Sequence, residues 1–485
     1  MEEVSARKYA EKEAFVTGHD GTTPLEIFLL CLAVPIGLRL YSKLTSYWCV
    51  SDTNRRYNWA EIAIEFGILV LPNLLLQTSL LPYITGPSVL LAFMSIISYI
   101  LPHDKQSTSK NDTANIINRP PFLTVHRATI YIQTAIAILA VDFPIFPRRY
   151  CKTEVGGYGW MDLGAASFII IAGWSSSANS SSSTASNNMS TMKSMKKAVV
   201  KCAPLLILGV IRLITIKGVE YQEHVSEYGV HWNFFFILCC VEGSMVVWKY
   251  LKGCYFSTML PWDGMIACLL MMAYQLYLSL GGGQDFIENG PRQCSRDDST
   301  WSSLCSVFVA NREGILGIIG YLSLRLLSES MARYCIWPKV DLDTITNLRQ
   351  GRLLIASTVF WAAHFFLTCI WGVPNSRRST NIPFILWSLA QNTSVLCLIH
   401  FAMTSADYSA HYAPRIFNSI NRFGLPVFFV SNILTGLVNL LVDTIHSSNA
   451  KALLVLSGYL MAVCGLSLLL DTIFDKKRIV NKKID

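Results

Sequence analysis

The sequence predicts an all-α, polytopic transmembrane helical bundle of about thirteen spans. Three observations carry that prediction. Of the 485 residues, 52% are hydrophobic and only 15% are charged, against roughly 25% charged in soluble domains. The mean hydropathy is +0.39. Apolar runs of roughly 18 to 23 residues, the length a helix needs to cross a hydrocarbon core, recur from one end to the other. Lipid, not a single large core, solvates that much apolar surface. The net charge of +8 fits the Lys and Arg excess of cytosolic loops and calls for no nucleic-acid partner.

The spans fall near 25–42, 59–80, 84–101, 126–146, 158–175, 199–216, 231–250, 260–280, 314–333, 352–373, 382–403, 424–444 and 452–472. No soluble domain fits between them, so 1–485 reads as one membrane-embedded domain. It has an N-terminal lumenal segment over 1–23 and a Ser/Asn/Thr-rich, low-complexity loop over 175–197. A basic cytosolic tail follows over 473–485. The first 23 residues are charged and mixed, unlike a cleavable signal peptide. With the N-terminus lumenal and the tail cytosolic, cytosolic loops take the larger share of Lys and Arg. An odd number of spans then makes the loop from Asp142 to Lys152 lumenal. Lys482 and Lys483 read either as a dilysine retrieval signal of the endoplasmic reticulum or as a basic stop-transfer flank. The 14 cysteines hold no CxxC pair. Cys294 and Cys305 share one polar loop and are placed to form a disulfide if that loop is lumenal.

The stretch AIAILAVDFPIFPRRYCKTEVGGYGWMDLG carries the densest chemistry. An uncharged apolar helix meets Asp142, a spacer with prolines at 144 and 147, and then Arg148, Arg149 and Lys152. The prolines forbid helix continuation. The product is a carboxylate at a membrane helix terminus beside cations on a short loop. Such a carboxylate can deprotonate or orient a substrate hydroxyl. The same residues can also form an ion pair that merely pins the loop.

Four further stretches hold polar groups at predicted lumenal ends or within spans. EYQEHVSEYGVHWNFF supplies Glu223, His224, His231 and Asn233 as candidates for a polar substrate. Glu223, Glu227 and His231 would share one face if the run were helical. Gly229 interrupts it, and the spacing is not that of a metal-binding HExxH helix, so no metal is expected. ANREGILG offers Arg312 for a phosphate. SRRSTNIPFILW places Arg377 and Arg378 against the positive-inside trend, which points to a structural partner or a phosphate. SNILTGLVN sets Asn432, Thr435, Gly436 and Asn439 on one helix face, most simply for interhelical hydrogen bonds. Arg212, Asp263, Arg325, His364, His400 and Asp443 stand inside spans, where an ionisable group is a functional candidate.

These stretches, in order from about residue 120 to about 440, closely resemble the Gwt/PIG-W family of inositol acyltransferases. DFPIFPRR and EYQEHVSEYGVHWNFF are long and specific. The resemblance implies a thirteen-span enzyme of the endoplasmic-reticulum membrane, acting in glycosylphosphatidylinositol (GPI) anchor synthesis. It implies transfer of a fatty acyl group, typically palmitoyl, from acyl-CoA to the inositol 2-hydroxyl of glucosaminyl-phosphatidylinositol. The family's catalytic aspartate and lysine fall on Asp142 and Lys152. The partners implied are acyl-CoA as co-substrate, the glycolipid acceptor and the bilayer; no resident cofactor is implied. Arg148, Arg149, Arg377 and Arg378 are candidates for CoA or phosphoinositide phosphates. Glu223, His224, His231 and Asn233 are candidates for sugar and inositol hydroxyls. Two other readings stay open. One is a membrane-bound O-acyltransferase using an intramembrane histidine, His364 or His400. The other is a secondary transporter of a polar solute, although no convincing internal repeat is visible.

Overall fold

The computed structural model describes residues 15, 17–48, 59–78, 85–100, 120–182, 191–218, 225–255, 261–294, 300–338, 342–405 and 413–481. Among them the chain is helical throughout, with no strand and one isolated bridge between Gly21 and Tyr158. Among the described residues ten helices are long and apolar enough to cross a membrane. The other three predicted spans coincide with the helices Thr85–Ile100, Asp162–Ser182 and Thr191–Gly218.

Helix ends follow local chemistry. Pro24 starts the helix Pro24–Cys31 at a position where its missing N–H costs nothing, and Thr23 accepts from the Glu26 N–H at 3.3 Å. The helix Pro121–Ala140 begins on another proline and stops before Asp142, because Pro144 and Pro147 cannot extend it. The Ser-rich loop expected over 175–197 is shorter than the sequence suggests. Helix persists to Ser182 on one side and resumes at Thr191 on the other. Serines at 175 and 177 bond back to carbonyls one turn earlier, which satisfies their hydroxyls without breaking the helix.

The chain divides into two compact units. Unit 1 comprises 1–21, 152–339 and 354–392; unit 2 comprises 22–151, 340–353 and 393–485. In unit 1 the helix Arg312–Cys335 is central, packing on Asp162–Ser182, Phe234–Tyr255 and Trp262–Leu280. At Gly173 an added Cβ would lie 2.7 Å from the Ser328 side chain, so small residues set that helix–helix approach. In unit 2 the helix Pro121–Ala140 is central, packing on Leu71–Gln77, Arg415–Arg422, Gly424–Leu441 and Asn449–Asn481.

Two charged groups inside the spans of unit 1 are paired, as low-dielectric surroundings favour. In unit 1 Arg325 bonds Glu242 and Glu329, and Asp263 binds Lys252, Trp248 and Arg333. Cys294 and Cys305 form the disulfide that their shared loop allowed.

Candidate active site

In unit 2, Asp142 sits one residue beyond the C-cap Val141 of the Pro121–Ala140 helix. Its N–H donates to the Leu139 carbonyl at 3.2 Å, and Phe143 N–H donates to Ala140 at 3.0 Å, so the chain tightens before it turns away. The carbonyls left over at this terminus need donors. Arg148 supplies them: its guanidinium donates to Val141 at 2.9 Å, to Phe143 at 2.8 Å and to Phe146 at 2.8 Å and 3.0 Å. Burial pulls the Arg148 pKa below its ordinary value, against the nearby Cys151 and Asp142. Arg148 therefore builds the turn that presents Asp142.

Arg149 turns the other way and grips Glu26 through Nε at 3.0 Å and Nη2 at 2.8 Å, while the Tyr150 hydroxyl donates to the same oxygen of Glu26 at 2.8 Å. Burial and then the Glu26 bond push the Tyr150 hydroxyl above its ordinary pKa. Asp142 itself receives the Asn439 side chain, whose Nδ2 donates to Oδ2 at 2.7 Å. The Asn439 of the expected polar helix face is thus bonded to the carboxylate that the sequence singled out.

In unit 1, Lys152 opens a loop that leads to the helix Asp162–Ser182. Its ammonium lies 2.6 Å from Glu227 Oε1, with the lysine side chain 30% exposed and the glutamate 11%. Glu227 stands on a single helical turn, Val225–Tyr228. That turn ends at Gly229, whose φ is +111°, and a Cβ there would fall 2.4 Å from Asn311 Cα. Only glycine accepts both the φ and the contact. Glu227 and His231 do not share a helix face, because the helix stops at Tyr228 and Gly229 turns the backbone over Asn311. Glu223 and His224 lie outside the described residues. His231 is exposed, and its N–H donates to Asn311 Oδ1 at 2.7 Å.

Asn233 caps the next helix. Its Oδ1 accepts from Phe235 and Phe236 N–H at 3.0 and 3.3 Å, and its Nδ2 donates to the Gly209 carbonyl at 2.9 Å. Arg377 is buried between two carboxylates, 2.7 Å from Asp162 Oδ1 and 3.3 Å from Glu227 Oε1. Burial alone would lower its pKa; the charges of Glu227 and Asp162 outweigh it and raise the pKa above the ordinary arginine value. Arg378 pairs with Glu313 at 2.9 Å, which Arg292 also holds at 2.7 Å. Arg312, 2% exposed, donates to the Ile287, Pro291 and Val309 carbonyls. The arginines put forward for phosphates are thus engaged with protein acceptors. Glu26 and Asp162 join the site only in the folded chain; in sequence each is an acid in the first turn of a helix, where the helix dipole gives it an ordinary place.

His364 and His400, put forward inside spans, are also engaged. His364 lies with Nδ1 3.0 Å from the Pro383 carbonyl and Nε2 2.9 Å from the Tyr158 hydroxyl. A carbonyl only accepts, so Nδ1 carries the proton and Nε2 accepts from Tyr158. His400 Nδ1 meets Gln350 Oε1 at 2.7 Å, and its ring packs edge-on against Phe122.

The GWT1 family model matches residues 8–470. The chain is similar to GPI-anchored wall transfer protein 1 of Aspergillus fumigatus, 32% identical over 507 aligned positions covering 95% of this chain and 97% of that one. The Candida albicans protein of the same name is 29% identical over 95% of this chain and 97% of its own. The Yarrowia lipolytica protein is 33% identical over 76% of each. A family match spanning nearly the whole chain, on a multi-pass helical membrane fold, makes this protein a member of the GWT1 family.

Proposed function

We propose that the protein is an acyl-CoA-dependent O-acyltransferase of the endoplasmic-reticulum membrane. It places a fatty acyl group, palmitoyl in the family's usual case, on the inositol 2-hydroxyl of glucosaminyl-phosphatidylinositol during GPI-anchor biosynthesis. Family membership supports the pathway, as does the name shared by its relatives, GPI-anchored wall transfer protein 1. The observation that carries the chemistry is the bonding of Asp142. A carboxylate at a helix terminus, oriented by Asn439 at 2.7 Å, is a fixed proton acceptor at the edge of a span.

Asp142 takes the proton of the inositol hydroxyl as its oxygen attacks the thioester carbonyl. The C–O bond forms, charge collects on the carbonyl oxygen, and the Lys152 ammonium stabilises that oxyanion. Collapse breaks the C–S bond, and the CoA thiolate takes a proton back from Asp142 or from solvent. The thioester is already activated, so no acyl-enzyme is required. Both substrates are amphiphiles, and a site at the end of a span lets acyl chains stay in apolar surroundings while headgroups meet polar loops.

The test is acyl transfer from palmitoyl-CoA to glucosaminyl-phosphatidylinositol in microsomes matched for folded protein. Asp142→Asn lowers turnover by about 100-fold or more, the scale of a lost general base. Lys152→Met lowers it by about 100-fold, the scale of a lost oxyanion donor, with acyl-CoA binding kept. Near-normal turnover in either variant removes that residue from its role.

A further inference from the structure

We infer that Glu227 is the positioning residue of Lys152, held in place by a closed ring of contacts through Arg377, Asp162 and Thr153. The inference rests on the reading of Lys152 as the oxyanion group. It adds what makes that lysine usable.

A lysine ammonium on a four-carbon stem has several rotamers of similar energy, and ordering it costs side-chain entropy. Its nitrogen stays at one point only if something fixed holds it. Glu227 Oε1 does so at 2.6 Å. Glu227 is itself fixed from two directions. Its own turn is tied down where Val230 N–H donates to the Ala310 carbonyl at 3.1 Å and His231 N–H to Asn311. Its carboxylate faces Arg377, whose Nη1 lies 3.3 Å from the oxygen that Lys152 also uses.

Arg377 passes the constraint on. Its Nε lies 2.7 Å from Asp162 Oδ1. Asp162 in turn accepts from the Thr153 N–H at 3.2 Å, the Thr153 hydroxyl at 2.8 Å and the Gly159 N–H at 2.9 Å. Thr153 is the covalent neighbour of Lys152, so the ring closes. It holds the lysine by its head and by its backbone at once. The loop after Lys152 is also fastened to the loop that bears Arg377. Gly157 N–H donates to the Asn375 carbonyl at 2.8 Å, and the Ser376 hydroxyl donates to the Val155 carbonyl at 2.9 Å. Two cations alternate with two carboxylates around the ring, so its charge balances. A ring built only for stability would not need its most exposed member to be the lysine, at 30% against 11% for Glu227.

The experiment uses full-length protein in microsomes, with palmitoyl-CoA and glucosaminyl-phosphatidylinositol as substrates. Folded yield is read by size-exclusion of a fluorescent fusion. Glu227→Gln keeps the shape and removes the charge. It lowers kcat by about 10- to 100-fold, the scale of a misplaced catalytic group, and leaves KM for palmitoyl-CoA within about threefold. Glu227→Asp keeps the charge and recovers about tenfold over Glu227→Gln, since the pairing survives in longer form. Lys152→Met combined with Glu227→Gln is no slower than Lys152→Met alone, because Glu227 acts through Lys152. The inference falls if Glu227→Gln turns over normally, if the two losses multiply in the double variant, or if Glu227→Asp loses activity and folded yield as fully as Glu227→Gln. Lys152→Met at normal turnover sinks the catalytic reading and this inference with it. Lys152→Met inactive with Glu227→Gln normal sinks this inference alone.

Discussion

Asn439 Nδ2 donates to Asp142 Oδ2 at 2.7 Å, between residues 297 positions apart in the chain. The direction of the amide follows from chemistry. A carboxylate only accepts, so the NH₂ end faces Asp142, while the carbonyl end of Asn439 faces the Thr444 hydroxyl at 3.5 Å. The bond fixes one carboxylate oxygen and with it the plane of the group. A base whose plane is fixed presents its lone pairs in a constant direction, the condition for efficient proton transfer.

Asn439→Leu removes that donor at nearly constant volume. Turnover falls by about 10- to 100-fold while KM for palmitoyl-CoA changes little, as steady-state kinetics in microsomes will measure. Asn439→Asp is worse, because it sets a second carboxylate against Asp142. Equal and near-normal kinetics in both variants would remove Asn439 from the site.

Gly229→Ala strains the turn that carries Glu227. The φ of +111° and the 2.4 Å approach to Asn311 Cα leave no room for a methyl. The expected cost is about 1–3 kcal/mol of stability, together with a fall in turnover. A thermal melt of the detergent-solubilised protein checks the first and acyl transfer the second. An unchanged melt would mean that the turn is looser than its geometry implies.

His364→Ala separates the present reading from a histidine-based acyltransferase. The substitution strands the Tyr158 hydroxyl and the Pro383 carbonyl, costing about 1–3 kcal/mol. Turnover per folded molecule stays within about threefold of the parent. A loss of about 100-fold in a folded protein would move the catalytic centre to the histidine instead.

Cys294 and Cys305 close a loop of 11 positions. Serine at either one removes the cross-link and about 3 kcal/mol of stability on the chain-entropy account. The double variant loses no more than either single one. Melting of the three variants tests this. Alkylation of both thiols in unreduced microsomes would contradict the pairing.

The helices were readable because lipid imposes a simple rule on sequence: long apolar runs, interrupted where polar loops begin. Asp142 and Lys152 stand out for a related reason, charge at the end of such a run behind two prolines. That pattern fits an ion pair as well as a catalytic group, and the family resemblance is what makes the two residues catalytic candidates. Their supports were harder to read. Asn439 lay on a face whose plainest use was helix packing. Asp162, an acid in the first turn of its helix, has nothing in the sequence around it to point to Arg377. Glu227 was read on a helix that ends at Tyr228, since Gly229 at +111° redirects the chain. Arg377 and Arg378 did signal partners, but composition could not choose between a phosphate and the carboxylates of Asp162, Glu227 and Glu313 that hold them.

Sequence alone determined the membrane class and the spans, because hydropathy and proline act locally along the chain, and it offered Asp142 and Lys152 as candidates for the proposed chemistry. Only the tertiary structure decided which groups hold them. Asn439 reaches Asp142, and Glu227 reaches Lys152, through pairings that form once helices distant in sequence pack together. A hydrogen bond at 2.7 Å depends on positions in space, and nothing in the spacing of residues along a chain records those.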